Sequence, residues 1–427
     1  MPIIERLTAA EILDSRGRPT VSATCTLASG AASSASIPSG VSTGTAEALE
    51  LRDCDPARYG GLGCRKAVAY IGGEIHQALA GRSFADQAEL DHALIELDGT
   101  PNKSRLGANG ILAVSVAFAR ASAQERGVPL YVHLAGILGH TLDTLPRLTI
   151  NLFSGGKHAG RQVALQDVLI VPARPATIDE SLAMAYDVYQ AAAALVLKRY
   201  GMRKLTADEG GLAPPCDSTE ELIETAVVAI KTAGYRPGSD VMLALDVAAS
   251  HFYTNGQYHL DGAALDSPGM IARLVRWVER YPIVSVEDGL AEDDWEWWPT
   301  LRLALQKRAL VVGDDLLCTN PPRIRRAIEV QACNTLLLKP NQIGTLTEAA
   351  EAWRLATGAG WQTTVSVRSG ETEDNWAADL AVGWRGDQFK AGSVTQSERL
   401  AKYNRLLAIE AETGWPVVRW PAGSLNR

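Results

Sequence analysis

Between Thr20 and Leu27 the apolar residues Val21, Ala23, Cys25 and Leu27 alternate with Ser22, Thr24 and Thr26. A period of two marks a strand with one buried face. Turn formers bracket it, Asp14-Ser15-Arg16-Gly17-Arg18-Pro19 before and Ser29-Gly30 after. The pattern then becomes helical over residues 66–79, 87–97 and 107–125, with Gly127 placed as a left-handed cap and Pro129 just beyond. Strand followed by helices predicts a small α+β domain over residues 1–135.

From 136 to 427 the pattern alternates. Short apolar runs at 241–245, 283–286, 310–312, 335–338 and 363–366 are each followed by a helix-like stretch. Ser218-Thr219-Glu220-Glu221 heads one of these with a capping box. Strand–helix alternation over about 290 residues predicts a mainly parallel sheet closed into a (β/α)8 barrel. An open doubly wound sheet would carry a glycine-rich phosphate loop, and neither G-x-G-x-x-G nor a Walker motif occurs. The predicted class is α/β, a barrel preceded by a smaller α+β domain.

The residue that ends each run carries the chemistry. Met242-Leu243-Ala244-Leu245 ends in Asp246, Ile283-Val284-Ser285-Val286 in Glu287, and Val311-Val312-Gly313 in Asp314. Leu336-Leu337-Leu338 leads to Lys339, Thr364-Val365-Ser366-Val367 to Arg368 and Ser369, and Gln388-Phe389 to Lys390. In a barrel the C-terminal strand ends share one mouth, so three carboxylates there can converge on a hard cation such as Mg²⁺. Lys339 and Lys390 are expected to face them from the other side. Any one of these residues alone reads as a helix cap or turn former; the signal is six in the same structural position. Such a site suits removal of a proton beside a carboxylate: the cation stabilises the dianion, and a neutral lysine accepts the proton.

Composition narrows the alternatives. Lys+Arg number 41 against 49 Asp+Glu, a net charge of −8, which lacks the positive footprint of a general nucleic-acid binder. Apolar residues at 46% and charged residues at 21% are ordinary for a soluble globular chain. No apolar run reaches membrane-spanning length, and the start Met1-Pro2-Ile3-Ile4-Glu5-Arg6 lacks a signal-peptide pattern. The expectation is a cytoplasmic protein without nucleic-acid or membrane partners. The six cysteines form no C-x-x-C pair and read as small buried hydrophobes. Trp295, Trp297 and Trp298 read as a helix partly packed on the barrel or as an interface, and Glu371 and Glu373 as first-turn helix acids.

Nearly end to end, from Ile4 to about Glu410, the chain resembles enolase. The resemblance rests on Asp14-Ser15-Arg16-Gly17, Pro38-Ser39-Gly40-Val41-Ser42-Thr43-Gly44 and Glu47-Ala48-Leu49-Glu50-Leu51-Arg52-Asp53. It continues through Gly155-Gly156-Lys157-His158-Ala159-Gly160, Asp208-Glu209-Gly210-Gly211 and Glu287-Asp288-Gly289. Lys339-Pro340-Asn341-Gln342-Ile343-Gly344 and Ser369-Gly370-Glu371-Thr372-Glu373-Asp374 complete it, in family order. The resemblance implies that Asp246, Glu287 and Asp314 hold the tighter Mg²⁺. Ser39, in a mobile loop, would help hold a second Mg²⁺ arriving with substrate. Lys339 would be the base at C2 and Glu209 the acid assisting loss of the C3 hydroxyl. Arg368 and Ser369 would bind the phosphoryl group and Lys390 the carboxylate, while His158, Gln166 and Asp167 fall on substrate positions. A homodimer or larger homo-oligomer is implied as well.

The departures fall where substrate should lie. Enolases read Ser-His-Arg-Ser where this chain has Ser366-Val367-Arg368-Ser369, and Gln-Glu where it has Gln166-Asp167. Ser154, Arg161 and Arg18 each replace a family asparagine. The metal ligands, base and acid are kept. Three readings stay open. One is a specialised enzyme acting on a phosphorylated or phosphonylated 2-phosphoglycerate-like acid, as in the branch that makes carboxyphosphonoenolpyruvate in phosphinate antibiotic pathways. The second is an ordinary enolase converting 2-phosphoglycerate to phosphoenolpyruvate. The third is a weakly active moonlighting binding protein, although the terminal Leu425-Asn426-Arg427 lacks the lysine that some surface-displayed members use.

Overall fold

The computed structural model describes residues 1–40, 43–201 and 205–419. Val41 and Ser42 of the 38–44 motif, and the terminal residues 425–427, lie outside the described residues. The chain opens with an antiparallel meander of β1 (Ile4–Leu13), β2 (Pro19–Leu27) and β3 (Ala32–Ser36). The alternating residues Val21, Ala23, Cys25 and Leu27 of the central strand are fully buried. They face the helix Ala108–Glu125, which packs on β2 and β3. That helix is buried almost all round, because it also touches the short turn Pro340–Gln342 that follows Lys339. The helix expected over 66–79 is interrupted by one wide π turn at Ile71–Ile75, where Gly72 and Gly73 allow the spiral to loosen.

The second part is a closed eight-stranded barrel. Around it run β4 (Arg147–Ser154), β5 (Asp167–Pro172), β6 (Val241–Asp246), β10 (Ile283–Glu287), β11 (Leu310–Gly313), β12 (Thr335–Leu338), β13 (Gln362–Ser366) and β14 (Gln388–Lys390). A small excursion of β7 (Tyr253–Thr254), β8 (Gln257–Leu260) and β9 (Ala263–Leu265) sits between β6 and β10. The sheet is mainly parallel, with one exception: β5 pairs antiparallel with both β4 and β6. The rule that every strand presents its C-terminal end to the mouth therefore fails at β5. Its N-terminal residue Asp167 lies opposite Asp246, the C-terminal residue of β6.

Ser218 caps the helix Thr219–Thr232 as its side chain accepts the Glu221 N–H at 3.2 Å. Glu221 returns to the N–H of Asp217, one residue outside the expected reciprocal partner. Trp298 is fully buried and donates from Nε1 to the Ala291 carbonyl at 2.9 Å, while Trp295 lies beneath the Arg326 guanidinium. Five cysteines are buried as expected; Cys54 is exposed.

The C-terminal helix Ser397–Thr413 buries two charges beneath the barrel rim. Arg399 donates to the carbonyls of Arg368 (2.7 Å) and Ser369 (2.6 Å). Lys402 donates to the Glu371 carboxylate at 2.6 Å and to the Thr372 carbonyl at 2.5 Å. Glu371 is thus no first-turn helix acid: the next helix starts only at Trp376, and Glu371 is a buried strut of the 368–372 loop.

Removing one partner of a buried ion pair leaves the other charged and desolvated. Lys402→Met is expected to destabilise the fold by about 3–5 kcal/mol, read as a lowered denaturation midpoint. Arg308→Ala, which breaks the half-exposed pair with Glu279, is expected to change stability by less than about 1 kcal/mol. Equal effects from the two variants would remove the buried pair from its supporting role.

Candidate active site

At the mouth, Asp246 and Glu287 end neighbouring strands in register with each other, and Asp314 follows β11 immediately. All three carboxylates are buried. Lys390, at the end of β14, reaches across the mouth and inserts its ammonium between two of them. It donates to Asp246 Oδ2 at 2.7 Å and to both Glu287 oxygens at 2.9 and 2.8 Å. It starts from the far side of the barrel, as expected, and its ammonium reaches into the cluster. Lys339 donates to Asp314 Oδ2 at 2.6 Å, and Gln342 to Asp314 Oδ1 at 2.8 Å. Asp288 takes the backbone N–H groups of Asp314 and Asp315 at 3.0 and 2.7 Å, fixing the loop that carries Asp314.

Burial works against each of these charges, and the neighbours decide the outcome. Burial would raise the Asp246 carboxyl, but Lys390 beside it holds it down at about 2. Burial and the Asp246 charge push Glu287 well above the ordinary carboxylate range. Burial would strip Lys390 of its proton, but Asp246 and Glu287 keep it well above the usual lysine value. Lys339 behaves likewise: burial opposes its charge, and Asp314 outweighs burial. The resting lysines are ammonium ions. The oxygen-only donor set of Asp246, Glu287 and Asp314 is of the kind a hard divalent cation takes, and the Lys390 ammonium lies between two of them. Among the described residues the groups whose ligand atoms converge within 4.8 Å are instead Asp288, Asp314 and Asp315, and His158, Asp167 and Glu209. The three would have to draw together to share one ion.

A second group of charges lies on the β4–β5 side. His158, on the short turn Gly156–His158, has Nδ1 2.8 Å from Asp167 Oδ2 and Nε2 3.8 Å from Glu209 Oε1. Asn151 of β4 donates to Glu209 Oε2 at 2.9 Å. Gln166 donates to Asp246 Oδ2 at 3.2 Å and leaves its own Oε1 buried without a hydrogen-bond partner among the described residues. His158 is itself buried. Arg161 in the same loop takes φ +57°, a region that the family's asparagine tolerates more easily.

Arg368 is buried in a two-pronged pair with Glu47 of the N-terminal part, at 2.9 and 3.1 Å. Gly40 packs against it so closely that a Cβ there would fall 2.0 Å from Arg368 Nη2. Ser39 exchanges both backbone hydrogen bonds with Gly370, at 2.8 and 2.9 Å. Its hydroxyl donates to Glu50 at 2.9 Å and accepts from Arg52 at 2.7 Å.

One enclosed cavity gathers most of the expected residues. Its walls are His158, Gln166, Glu209, Asp246, Asp314, Lys339, Arg368, Ser369 and Lys390, with Ser366 and Val367 beside them. Three expected residues, Glu287, Asp167 and Ser39, are absent from this wall, and Glu287 is held behind it by the Lys390 ammonium. Asp167 is fully buried and turned to Ser154 and His158, and Ser39 is engaged by Glu50 and Arg52. Sequence reasoning had not assigned roles to Asn151, Gln342, Glu47 or Asp288. For Glu47, Gln342 and Asp288 the signal existed, since all three stand inside the quoted motifs; Asn151 lies in a strand that no pattern marked.

Burial alone would lower the His158 imidazole, but Asp167 and Glu209 hold it up at about 9. Burial pushes His133 and His251 down to about 4. At about pH 7.5 only His158 of these three is expected to be doubly protonated, as ring-nitrogen NMR shifts would show. Because its folded value lies above the ordinary 6.5, its stabilising effect is complete below about 6.5 and lost as pH rises through about 9. His158→Gln should remove that part of the alkaline loss of thermal stability; an unchanged slope would contradict the assignment.

Two family models match the chain: the one described as the enolase N-terminal domain over residues 4–134, and the one described as the enolase C-terminal TIM barrel domain over residues 143–419. With the barrel, its appended α+β part and the buried charges at its mouth, these matches establish that the chain belongs to the enolase family, whose enzymes are lyases.

Proposed function

We propose that this protein removes the proton α to the carboxylate of a small phosphorylated or phosphonylated acid resembling 2-phosphoglycerate and releases an enolpyruvate product. The reaction would be of the carboxyphosphonoenolpyruvate synthase type. The observation that carries this reading is the make-up of one cavity wall: Lys339, Glu209, Asp246, Asp314 and Arg368 are all present, yet Val367 stands among them. Val367 is buried and brings no donor or charge to the space beside Arg368. The reacting groups match those of the family, while the surface that recognises the substrate does not.

Mg²⁺ held by Asp246, Glu287 and Asp314 would supply the positive charge that stabilises the dianion formed when the α proton leaves. Lys339 would accept that proton once neutral, which requires Asp314 to relax its hold on the ammonium. Glu209, oriented by Asn151, would give a proton to the β oxygen, so that hydroxide leaves as water and the C2–C3 double bond forms. Lys390 would bind the substrate carboxylate, and Arg368 with Ser369 the phosphoryl or phosphonyl end, once Arg368 exchanges Glu47 for that anion. The unpartnered Gln166 Oε1 offers an acceptor to a substrate hydroxyl. A second Mg²⁺ arriving with substrate would need Ser39 to release Glu50 and Arg52.

A second reading, an ordinary enolase, is favoured by the intact Lys339, Glu209 and carboxylate set. The two separate in an ultraviolet assay of phosphoenolpyruvate formed from 2-phosphoglycerate with Mg²⁺, run on wild type, Lys339→Ala and Val367→His. Absent or weak turnover, raised by Val367→His, supports the specialised substrate. Turnover matching a known enolase makes this an ordinary one and ends the proposal. Whatever activity is found, Lys339→Ala is expected to lower kcat by at least about 100-fold. Chelation should abolish it and Mg²⁺ restore it; activity that survives chelation would exclude the metal role.

A further inference from the structure

Ser154 and Asp167 are the facing residues of the β4–β5 pair at the mouth, the last of one strand and the first of the other. The loop between them carries His158. Ser154 Oγ donates to Asp167 Oδ1 at 2.5 Å, and His158 Nδ1 stands 2.8 Å from Asp167 Oδ2. Both oxygens of this fully buried carboxylate are therefore occupied on the protein side. With Asp167 ionised, its oxygens only accept hydrogen bonds, so Nδ1 then carries the proton and the ring orientation is set.

The serine has little freedom. A Cβ on Gly211 would fall 2.5 Å from Ser154 Oγ, so the hydroxyl is packed against the Glu209 loop. Ser154 is also anchored through its backbone, whose carbonyl accepts from Gln162 Nε2 at 2.9 Å and whose N–H donates to the Leu212 carbonyl at 2.8 Å. At the far end of the ring, Nε2 and Glu209 Oε1 are 3.8 Å apart. That is too long for a hydrogen bond and leaves room for one oxygen atom to bridge the two.

We infer that Ser154 and Asp167 are a positioning pair for His158, holding its ring from behind so that Nε2, and not Asp167, meets the departing oxygen beside Glu209. The inference rests on reading this cavity as the reaction site. It makes the two departures from the family at 154 and 167 parts of one device: a shortened carboxylate that serves the histidine, and a hydroxyl that keeps it there.

The test reads the ring directly. In metal-free protein labelled with nitrogen-15 histidine, with His158→Gln to assign the signal, wild type should show a slowly exchanging, downfield Nδ1–H proton. Asp167→Asn should abolish that signal, and Ser154→Ala should speed its exchange. In parallel, steady-state kinetics on 2-phosphoglycerate with Mg²⁺ should show kcat reduced by roughly 10- to 100-fold with KM little changed. Because both residues act through one group, the double variant should lose no more than Asp167→Asn alone. An unperturbed His158 signal in both single variants overturns the inference, as does Asp167→Asn raising KM at unchanged kcat, the mark of direct substrate contact. If 2-phosphoglycerate is not turned over, the NMR result still decides, so failure of the substrate reading and failure of this one remain distinguishable.

Discussion

Three carboxylates buried within one barrel mouth repel one another, and the surrounding residues are arranged to offset that repulsion. Asp246, Glu287 and Asp314 cannot all stay ionised without nearby positive charge. Lys390 supplies it to the first two and Lys339 to the third. Each ammonium is in turn kept charged by the carboxylates it serves, so neither partner can be read alone. The site is a set of mutually dependent charges at rest. Any charged group entering the mouth changes all of them together, and Lys339 stays charged while Asp314 holds it.

The 368–372 loop translates this arrangement into contact with the rest of the molecule. From below, Arg399 and Lys402 of the last helix hold its carbonyls and Glu371. From above, Ser39 bridges Gly370, and Arg16 donates to both the Ser39 carbonyl and the Ser369 hydroxyl. A Cβ on Gly370 would fall 2.1 Å from Arg16 and 2.2 Å from Asp14, so only glycine allows the two parts to close this tightly. Arg368 is held on both sides, by Arg399 at its carbonyl and by Glu47 at its guanidinium. The N-terminal part therefore braces, through Glu47, Ser39 and Arg16, the 368–370 segment that lines the site.

Much of this was legible from the chain. Asp246, Glu287, Asp314, Lys339 and Lys390 stood out because an apolar run that stops abruptly at a charge is what a buried barrel strand looks like. β4 did not stand out: Arg147, Thr149 and Asn151 alternate with apolar residues along a strand that is buried on both faces, so no apolar run forms. β1 and β3 were missed for the opposite reason, since both are largely exposed or built of small residues. The pairings of Arg368 with Glu47 and of Glu371 with Lys402 join distant parts of the chain, and no local pattern encodes them. Asp167 was visible as a shortened side chain, but its direction depends on Ser154 across the strand pair.

The reversed β5 explains how Glu209 comes to be where it is. In a barrel of uniformly directed strands, each crossing outside returns the chain to the bottom, and each strand contributes one loop to the mouth. β5 instead finishes at the bottom. The chain must then climb again along the helix Ile178–Tyr200 and descend along Thr219–Thr232 before β6 can begin. One inverted strand thus changes the parity of the winding and yields a supernumerary loop at the top, joining two helices. Glu209 rides on that loop. Its placement is a topological by-product, yet the loop is pinned to the barrel, where Leu212 pairs with Phe153 of β4 and the Glu209 carbonyl accepts the Ser393 N–H just beyond β14.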